Sequence, residues 1–319
     1  MATSETADAE EAAAKASDGV ELGDLTGGAA PLPTPRRIVL TTFNIRYAVG
    51  SFLISGSLLR RIGLKRLARR PALVKSHIER AARAFSDDVL LPAPHVIALQ
   101  EADRETIRAG RLHVARELAI RLKCHYAHAA QAKPRDEEPE PKQWYLDFEE
   151  HISAREPGET GLAFLSRWPL AAARRVELPW SECAWRPRLA LAATLALGAE
   201  RHLHLFNSHI DPHAGVAEQL AQHEAILDDA DGIEAAGDAV VLLGDFNTLT
   251  PRARTAMREL LEARGYQTPL PTKLPTWRAG LYRLHADWIF VRGAARVTRW
   301  GVARPLSVSD HWPVWVEIE

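Results

Sequence analysis

Cysteine is nearly absent: the 319 residues hold two, Cys124 and Cys183, far apart and without CxxC spacing. That excludes a disulfide framework and a thiolate metal knuckle, and makes a reducing cytoplasm the expected compartment. No apolar run approaches the ~18 residues of a membrane-spanning helix. The acidic, Ala-rich start has neither the basic opening nor the apolar stretch of a secretory signal. Lysine is scarce at seven of 40 basic residues, a bias we read as compositional rather than functional. The net charge is only −1, which permits a nucleic-acid partner without requiring one.

Hydrophobic residues make up 46% and charged residues 25%, ordinary for a chain that buries a sizeable core. Charge is distributed unevenly. Residues 1–35 carry seven acids and one Lys, a net of −6, so the remainder is +5. Residues 1–35 are also poor in aromatics and end in Gly and Pro. Such a segment buries too little apolar surface to offset its ordering entropy, so a disordered acidic tail is expected there, followed by one catalytic domain over 36–319.

Order is expected from Arg37-Ile38-Val39-Leu40-Thr41-Thr42-Phe43, a β-branched run. Leu58–Arg70 holds six Arg/Lys in thirteen residues. Its charges do not segregate from its leucines, which favours a solvated loop and helix start closed by Pro71 over a membrane-surface helix. Further strands are expected at 95–99, 162–165, 189–197, 202–206, 240–243, 288–291 and 314–318. Helical spacing covers Ile107–Leu122, Val216–Ala230 and Arg252–Arg264, and Gln131–Pro141 reads as a surface loop. Interleaved strands and helices give an α/β class.

Polar residues stand where apolar strands stop. Asn44 ends the first strand, and Gln100-Glu101 follow Val96–Leu99. His209 and Asp211 follow Leu203–Phe206; Asp245 and Asn247 follow Val240–Leu243; Asp310-His311 precede the last strand. An open α/β sheet presents side chains at one rim in this way. Five such endings, all bearing oxygen or imidazole, indicate one site assembled from distant segments. The donors are hard oxygens, which suit Mg²⁺ with waters and substrate phosphate completing its shell; Zn²⁺ favours more imidazole or thiolate. His209 and His311 are then free for proton transfer.

These segments carry a resemblance. Thr42-Phe43-Asn44-Ile45-Arg46, Leu99-Gln100-Glu101, Asn207-Ser208-His209-Ile210-Asp211, Gly244-Asp245-Phe246-Asn247, Asp287-Trp288-Ile289 and Ser309-Asp310-His311-Trp312-Pro313 resemble, in order, the motifs of the endonuclease/exonuclease/phosphatase superfamily. The resemblance runs from Ile38 to the C-terminus. It implies a four-layer α/β sandwich like deoxyribonuclease I, with two mixed sheets face to face between helices. It also implies hydrolysis of a phosphodiester by direct water attack with Mg²⁺, Mn²⁺ substituting. Glu101 resembles the principal metal ligand with Asn44 beside it, and Asp310 an outer-sphere partner. Asp245 resembles the residue that orients or deprotonates the water, and Asn247 the one that holds it or a phosphate oxygen. His311 resembles the imidazole at the scissile phosphate, oriented by Asp287, and His209 the second histidine. Arg188 resembles an arginine that reaches substrate phosphate, and Glu159 stands near where some family nucleases place an acid that pairs with the second histidine, a plain loop carboxylate being the other reading.

Where family members often place Arg and then Gln after the His-x-Asp motif, Gln219 and Gln222 stand here, so a local salt bridge is expected to be missing. His202 and His204 share a strand face without evident zinc partners and read as structural, as does His213 in a turn. Trp288 and Trp315 read as core; Trp180, Trp185 and Trp277 are candidate substrate contacts. Nucleic acid is the first substrate expectation, on the basic body and Arg60–Arg70. A phospholipid or small phosphoester, reached through peripheral membrane contact or in solution, is the alternative. An inactive binding module is the reading outside the class. The chain is expected to be monomeric.

Overall fold

The computed structural model describes residues 19–29, 33, 35–50, 70–131, 152, 156–181, 187–198, 201–233, 238–304 and 306–319. Two mixed sheets pack face to face. The first runs β1 (Val20–Asp24), β4 (His125–Ala130), β5 (Gly161–Ser166), β3 (Val96–Gln100), β2 (Ile38–Asn44), β14 (Val314–Ile318), β13 (Val297–Val302). The second runs β12 (Asp287–Gly293), β9 (Ala239–Asp245), β8 (His202–His209), β7 (Leu189–Ala196), β6 (Ala171–Glu177). A small hairpin, β10 (Trp277–Ala279) and β11 (Tyr282–Leu284), stands apart. Helices α1 (Arg70–Ser86) and α2 (Val114–Leu122) cover the first sheet. Helices α3 (Val216–Asp231) and α4 (Pro251–Ala263) cover the second. This is the four-layer α/β sandwich expected.

Period-two alternation explains where the polar side chains go. In β2, Ile38 and Leu40 join Leu205 and Val241 between the sheets, whereas Val39 and Phe43 pack with Ile78 and Phe85 of α1. Continuing the alternation places Asn44 on the inter-sheet face at the strand's end. In β3, Val96 and Ala98 are followed in the same way by Gln100. Strand pairing then levels these ends: Asn44 lies beside Gln100, His209 beside Asp245, and Asp245 beside Asp287.

A polar link ties the sheets just beneath. Gln100 Nε2 donates to Asn207 Oδ1 at 2.7 Å, and Asn207 Nδ2 donates to the Leu99 and Ala163 carbonyls at 2.9 and 3.0 Å. Both amides are fully buried, so each bond also spares a desolvated polar group. Gly244 marks a second close approach: a Cβ there would stand 2.0 Å from the Ser208 carbonyl oxygen on β8. Neither backbone can yield without breaking the β8–β9 ladder. Gly244→Ala is therefore expected to cost about 3 kcal/mol or more, read as a lowered urea midpoint; an unchanged midpoint would contradict this packing.

Several expectations are corrected. Val20–Asp24, inside the segment expected to be disordered, is the edge strand of the first sheet, antiparallel to β4. Composition missed it because its stability comes from its partner: Val20 is fully buried and Glu21 bonds Arg104 and Tyr126. The helix expected from Ile107 begins at Val114, with His113 as its N-cap. Positive φ at Gly110 and Arg111, and an Arg108–Asp103 ion pair, turn the chain before it. Pro71 is the second residue of α1 rather than a terminator, a position where its missing N–H costs nothing. Residues 58–69, the expected loop at 132–141, Cys183 and Trp185 lie outside the described residues.

Candidate active site

Asp245 is the hub of the rim. The Asn44 amide nitrogen donates to Asp245 Oδ2 at 2.9 Å and to Glu101 Oε1 at 3.0 Å. His209 Nε2 and His311 Nε2 each lie 3.6 Å from that same Oδ2. Asp245 Oδ1 accepts the Asn247 backbone N–H at 3.0 Å. Three segments distant in sequence thus converge on one carboxylate. Asn44 Oδ1 accepts the Arg46 N–H, so in this arrangement its nitrogen, not its oxygen, faces the carboxylates. Glu101 holds φ +51, a backbone turn that carries it off the end of β3 and toward the rim.

His311 is held from behind. Its Nδ1 lies 2.9 and 3.1 Å from the two oxygens of Asp287, which is fully buried. Nδ1 therefore carries the proton shared with the carboxylate, and Nε2 is turned to Asp245. Burial opposes charge on this imidazole, but Asp287 and then Asp245 outweigh it and raise its pKa. Asp245 is itself raised, by burial first and by Asp287.

Asp310 sits to one side. Its Oδ2 accepts from Trp277 Nε1 at 3.1 Å and lies 3.5 Å from Arg46 Nη1. Burial opposes the charge on Arg46, but Asp310, with Tyr47 and Glu101, holds it firmly protonated. Sequence reasoning gave Arg46 no role, although it lies two residues after Asn44. Ser309 Oγ donates to the Asn44 carbonyl at 2.8 Å and accepts the His311 N–H at 3.1 Å, pinning the Asp310–His311 corner to β2.

The remaining candidates fall around this centre. Asn247 Nδ2 donates to the Ile210 carbonyl at 2.8 Å, which positions its side chain beside the rim. Arg188 is buried, with Nη2 3.8 Å from Asp211 Oδ1. Gln219 Nε2 donates to the Asp211 and Asn247 carbonyls, and Gln222 bonds the Asp211 N–H and the Pro179 carbonyl. Two neutral amides thus tie α3 to the rim loops where a salt bridge was expected to be missing. Glu159 is not at the second histidine; it pairs with Arg104 at 2.6 Å. His202 and His204 lie at the far end of β8 against Asp238, at 3.3 and 3.2 Å, and the His213 N–H closes a turn on Asp211. Trp288 and Trp315 are buried, and Trp180 is partly exposed.

Residues 41–311 match the model of the endonuclease/exonuclease/phosphatase family, and the chain belongs to that family. The chain has no significant match among curated protein sequences. Solved structures share its fold at low identity. An endonuclease/exonuclease/phosphatase from Beutenbergia cavernae is 18% identical, with 89% of this chain and 72% of that one covered and a TM-score of 0.60. The human Nocturnin catalytic domain with bound sulfate is 18% identical, covering 91% and 96%, TM-score 0.57. ANGEL2, a 2′,3′-cyclic phosphatase, is 14% identical, covering 88% and 95%, TM-score 0.58.

The family is generally dependent on a divalent metal, and the donor set fits one. Glu101 and Asp245 are brought together on the Asn44 amide nitrogen, which sets two carboxylates side by side at the rim. Among the described residues, the carboxylates of Glu101, Asp245, Asp287 and Asp310 meet the Arg46 guanidinium and a protonated His311, a formal surplus of two negative charges with His209 counted as neutral. A dication balances that surplus, and the oxygen donors favour a hard one.

Proposed function

We propose that this protein is a Mg²⁺-dependent phosphoesterase, with Mn²⁺ able to substitute, that hydrolyses a phosphodiester by direct attack of water, and that nucleic acid is its substrate. The observation that carries the reading is the convergence of Asn44, His209, His311 and Asn247 on the Asp245 carboxylate, with Glu101 bridged to it. Glu101, with Asn44 beside it and Asp310 farther out, would hold the ion, which neutralises developing charge on phosphate oxygens when bound. Asp245, raised toward neutrality by burial, is suited to orient a water and take its proton. Asn247 steadies that water or a phosphate oxygen. His311, kept protonated by Asp287, hydrogen-bonds the phosphate, and His209 faces the leaving oxygen. No side chain is required as a covalent nucleophile.

A surface beside the site favours a polyanion. The guanidinium groups of Arg278, Arg283 and Arg304 all lie over the Trp312 ring, at 5.2, 5.4 and 4.8 Å from its centre. The Arg278 N–H bonds the Asp310 carbonyl, so this arginine cluster is built onto the catalytic segment. Tyr282 and Leu281, at the tip between them, are exposed. Clustered arginines with an exposed aromatic suit a phosphate backbone and its bases.

The test is hydrolysis of bis-p-nitrophenyl phosphate and of labelled single- and double-stranded DNA, with Mg²⁺ or with EDTA. Metal-dependent cleavage of DNA is expected. Turnover of the small diester alone would move the substrate to lipids or metabolites. No hydrolysis of either, with Mg²⁺ added, would support the inactive module. A second prediction separates the arginine surface from the chemistry. Arg278→Ala with Arg283→Ala should weaken DNA binding and flatten its logarithmic salt dependence by about one unit for each arginine. Small-diester turnover should be unchanged; equal losses on both substrates would place these arginines in the catalytic machinery instead.

A further inference from the structure

Away from the rim, three side chains that no catalytic role uses point at one another. Glu21 of β1 stands directly opposite His128 of β4 in the antiparallel register, so both leave the sheet on one face. His113, the N-cap of α2, closes over them, with its ring 4.8 Å from that of His128. One ligating atom from each residue lies within 4.8 Å of the other two. His113 Nε2 is 3.4 Å from Glu21 Oε1. Neighbouring ligands on a tetrahedral zinc stand roughly 3.3 Å apart, given bonds of about 2.0–2.1 Å.

The ring nitrogens say what belongs between them. His128 Nε2 lies 2.8 Å from the Ala102 carbonyl oxygen, which only accepts. Nε2 therefore carries the proton and Nδ1 holds a lone pair. That Nδ1 is buried with no hydrogen-bond partner among the described residues, and so is His113 Nε2. The His128 residue is 1% exposed, and burial pushes its imidazole down to about 3, so the ring is neutral. Glu21 is held ionised, well below the usual carboxylate range, by His113 and also by Tyr126 and Arg104. Arg104 takes Glu21 Oε2, and its charge is offset by Glu159; Oε1 accepts from the Tyr126 hydroxyl at 2.5 Å and is also the oxygen turned to His113.

We propose that Glu21, His113 and His128 form a second, structural metal site for zinc or a similar borderline transition ion. Two imidazoles and a carboxylate are a ligand set such ions prefer and Mg²⁺ does not. The ion would fasten edge strand β1 to α2 and to the loop carrying Glu101, because His128 already bonds the Ala102 carbonyl and the Val114 N–H bonds the Asp103 carbonyl. Ligation through Nε2 moves the His113 proton to Nδ1. The 3.3 Å cap to the Arg116 N–H is then released.

The test uses the full chain stripped by chelator, in the Asp245→Asn background so that the rim cluster does not compete. Zn²⁺ is titrated with bound metal and melting temperature as readouts, and Co²⁺ with its visible spectrum. One ion per chain, a tetrahedral Co²⁺ spectrum and a higher Tm are expected. His113→Asn keeps a good helix cap while removing the ligand, and Glu21→Gln keeps the shape of the side chain. Each should weaken zinc by about 100-fold or more, the upper end of what losing even an outer-sphere partner costs, and should remove the zinc-dependent rise in Tm. Failure of the Asp245→Asn chain to retain zinc overturns the proposal. So does a zinc-dependent rise in Tm that survives both His113→Asn and Glu21→Gln.

Discussion

Asp245→Asn is expected to lower phosphodiester turnover by about 10⁴-fold or more, the upper end of what a positioned acid–base group contributes, without unfolding the protein. Both carboxylate oxygens are acceptors: Oδ1 takes the Asn247 N–H, and Oδ2 takes the Asn44 amide with both imidazole Nε2 atoms close by. An asparagine has one acceptor and one donor end, so neither orientation satisfies both sides. One orientation sets an amide against Asn247; the other sets it against Asn44 and turns a water-activating oxygen into an NH₂. The same substitution at Asp287 acts one step further back. It removes the carboxylate that orients His311 and keeps it charged, and about 10²-fold is expected there. Both losses should fall on kcat rather than KM, with circular dichroism and the melting temperature retained. The fold should tolerate either change, because Asp245 and Asp287 repel each other in a buried setting. Full activity in Asp245→Asn would remove this carboxylate from the mechanism.

What could be read in advance follows from period and position. Strands ending in Asn44, Gln100, His209 and Asp245 were visible as apolar runs that stop at a polar residue, and alternation alone sends those side chains to one face. The pairing of Asp287 with His311 rested on family resemblance, since no local pattern places residues 24 positions apart in contact. Other features needed the third dimension. Arg46 reads as an ordinary charge beside Asn44; only its burial against Asp310 shows that it offsets part of the rim's negative charge. The replacement of an anchoring ion pair by Gln219 and Gln222 was visible as a substitution, but not that amides bonding carbonyls would do the same work. Edge strand β1 was hidden because acidic composition speaks for disorder, whereas Glu21 is neutralised by partners more than 80 residues away. Glu159 was placed near the second histidine by resemblance alone, yet antiparallel bridging sends it to Arg104.

Acid should destabilise the protein steeply, and the sign follows from three buried histidines. Burial lowers His128 and His223 to about 3 and His285 to about 4. In the unfolded chain each titrates near 6.5. Below that value the unfolded state binds protons that the folded state refuses, so stability rises with pH and falls on acidification. Each group contributes about 1.4 kcal/mol per pH unit between its two pKa values; Asp245, raised by burial, takes up its proton earlier in the folded chain and offsets about one of the three, which leaves roughly 3 kcal/mol per unit. Against a typical total of roughly 5–15 kcal/mol, two or three units below neutrality are enough to unfold the domain. The consequence reaches the rim. His223 packs edge-on against Phe246, next to Asp245, and His285 stacks 3.7 Å from Trp288, next to Asp287. Protonation therefore loosens the packing directly behind the two catalytic carboxylates, and loss of activity should track loss of structure. Urea unfolding in chelator from pH 7 to pH 4 measures the slope. His223→Leu, apolar and of similar bulk, should reduce that slope by about a third to a half while leaving stability at pH 7 close to wild type; an unchanged slope would mean that His223 is not among the groups that take up the proton.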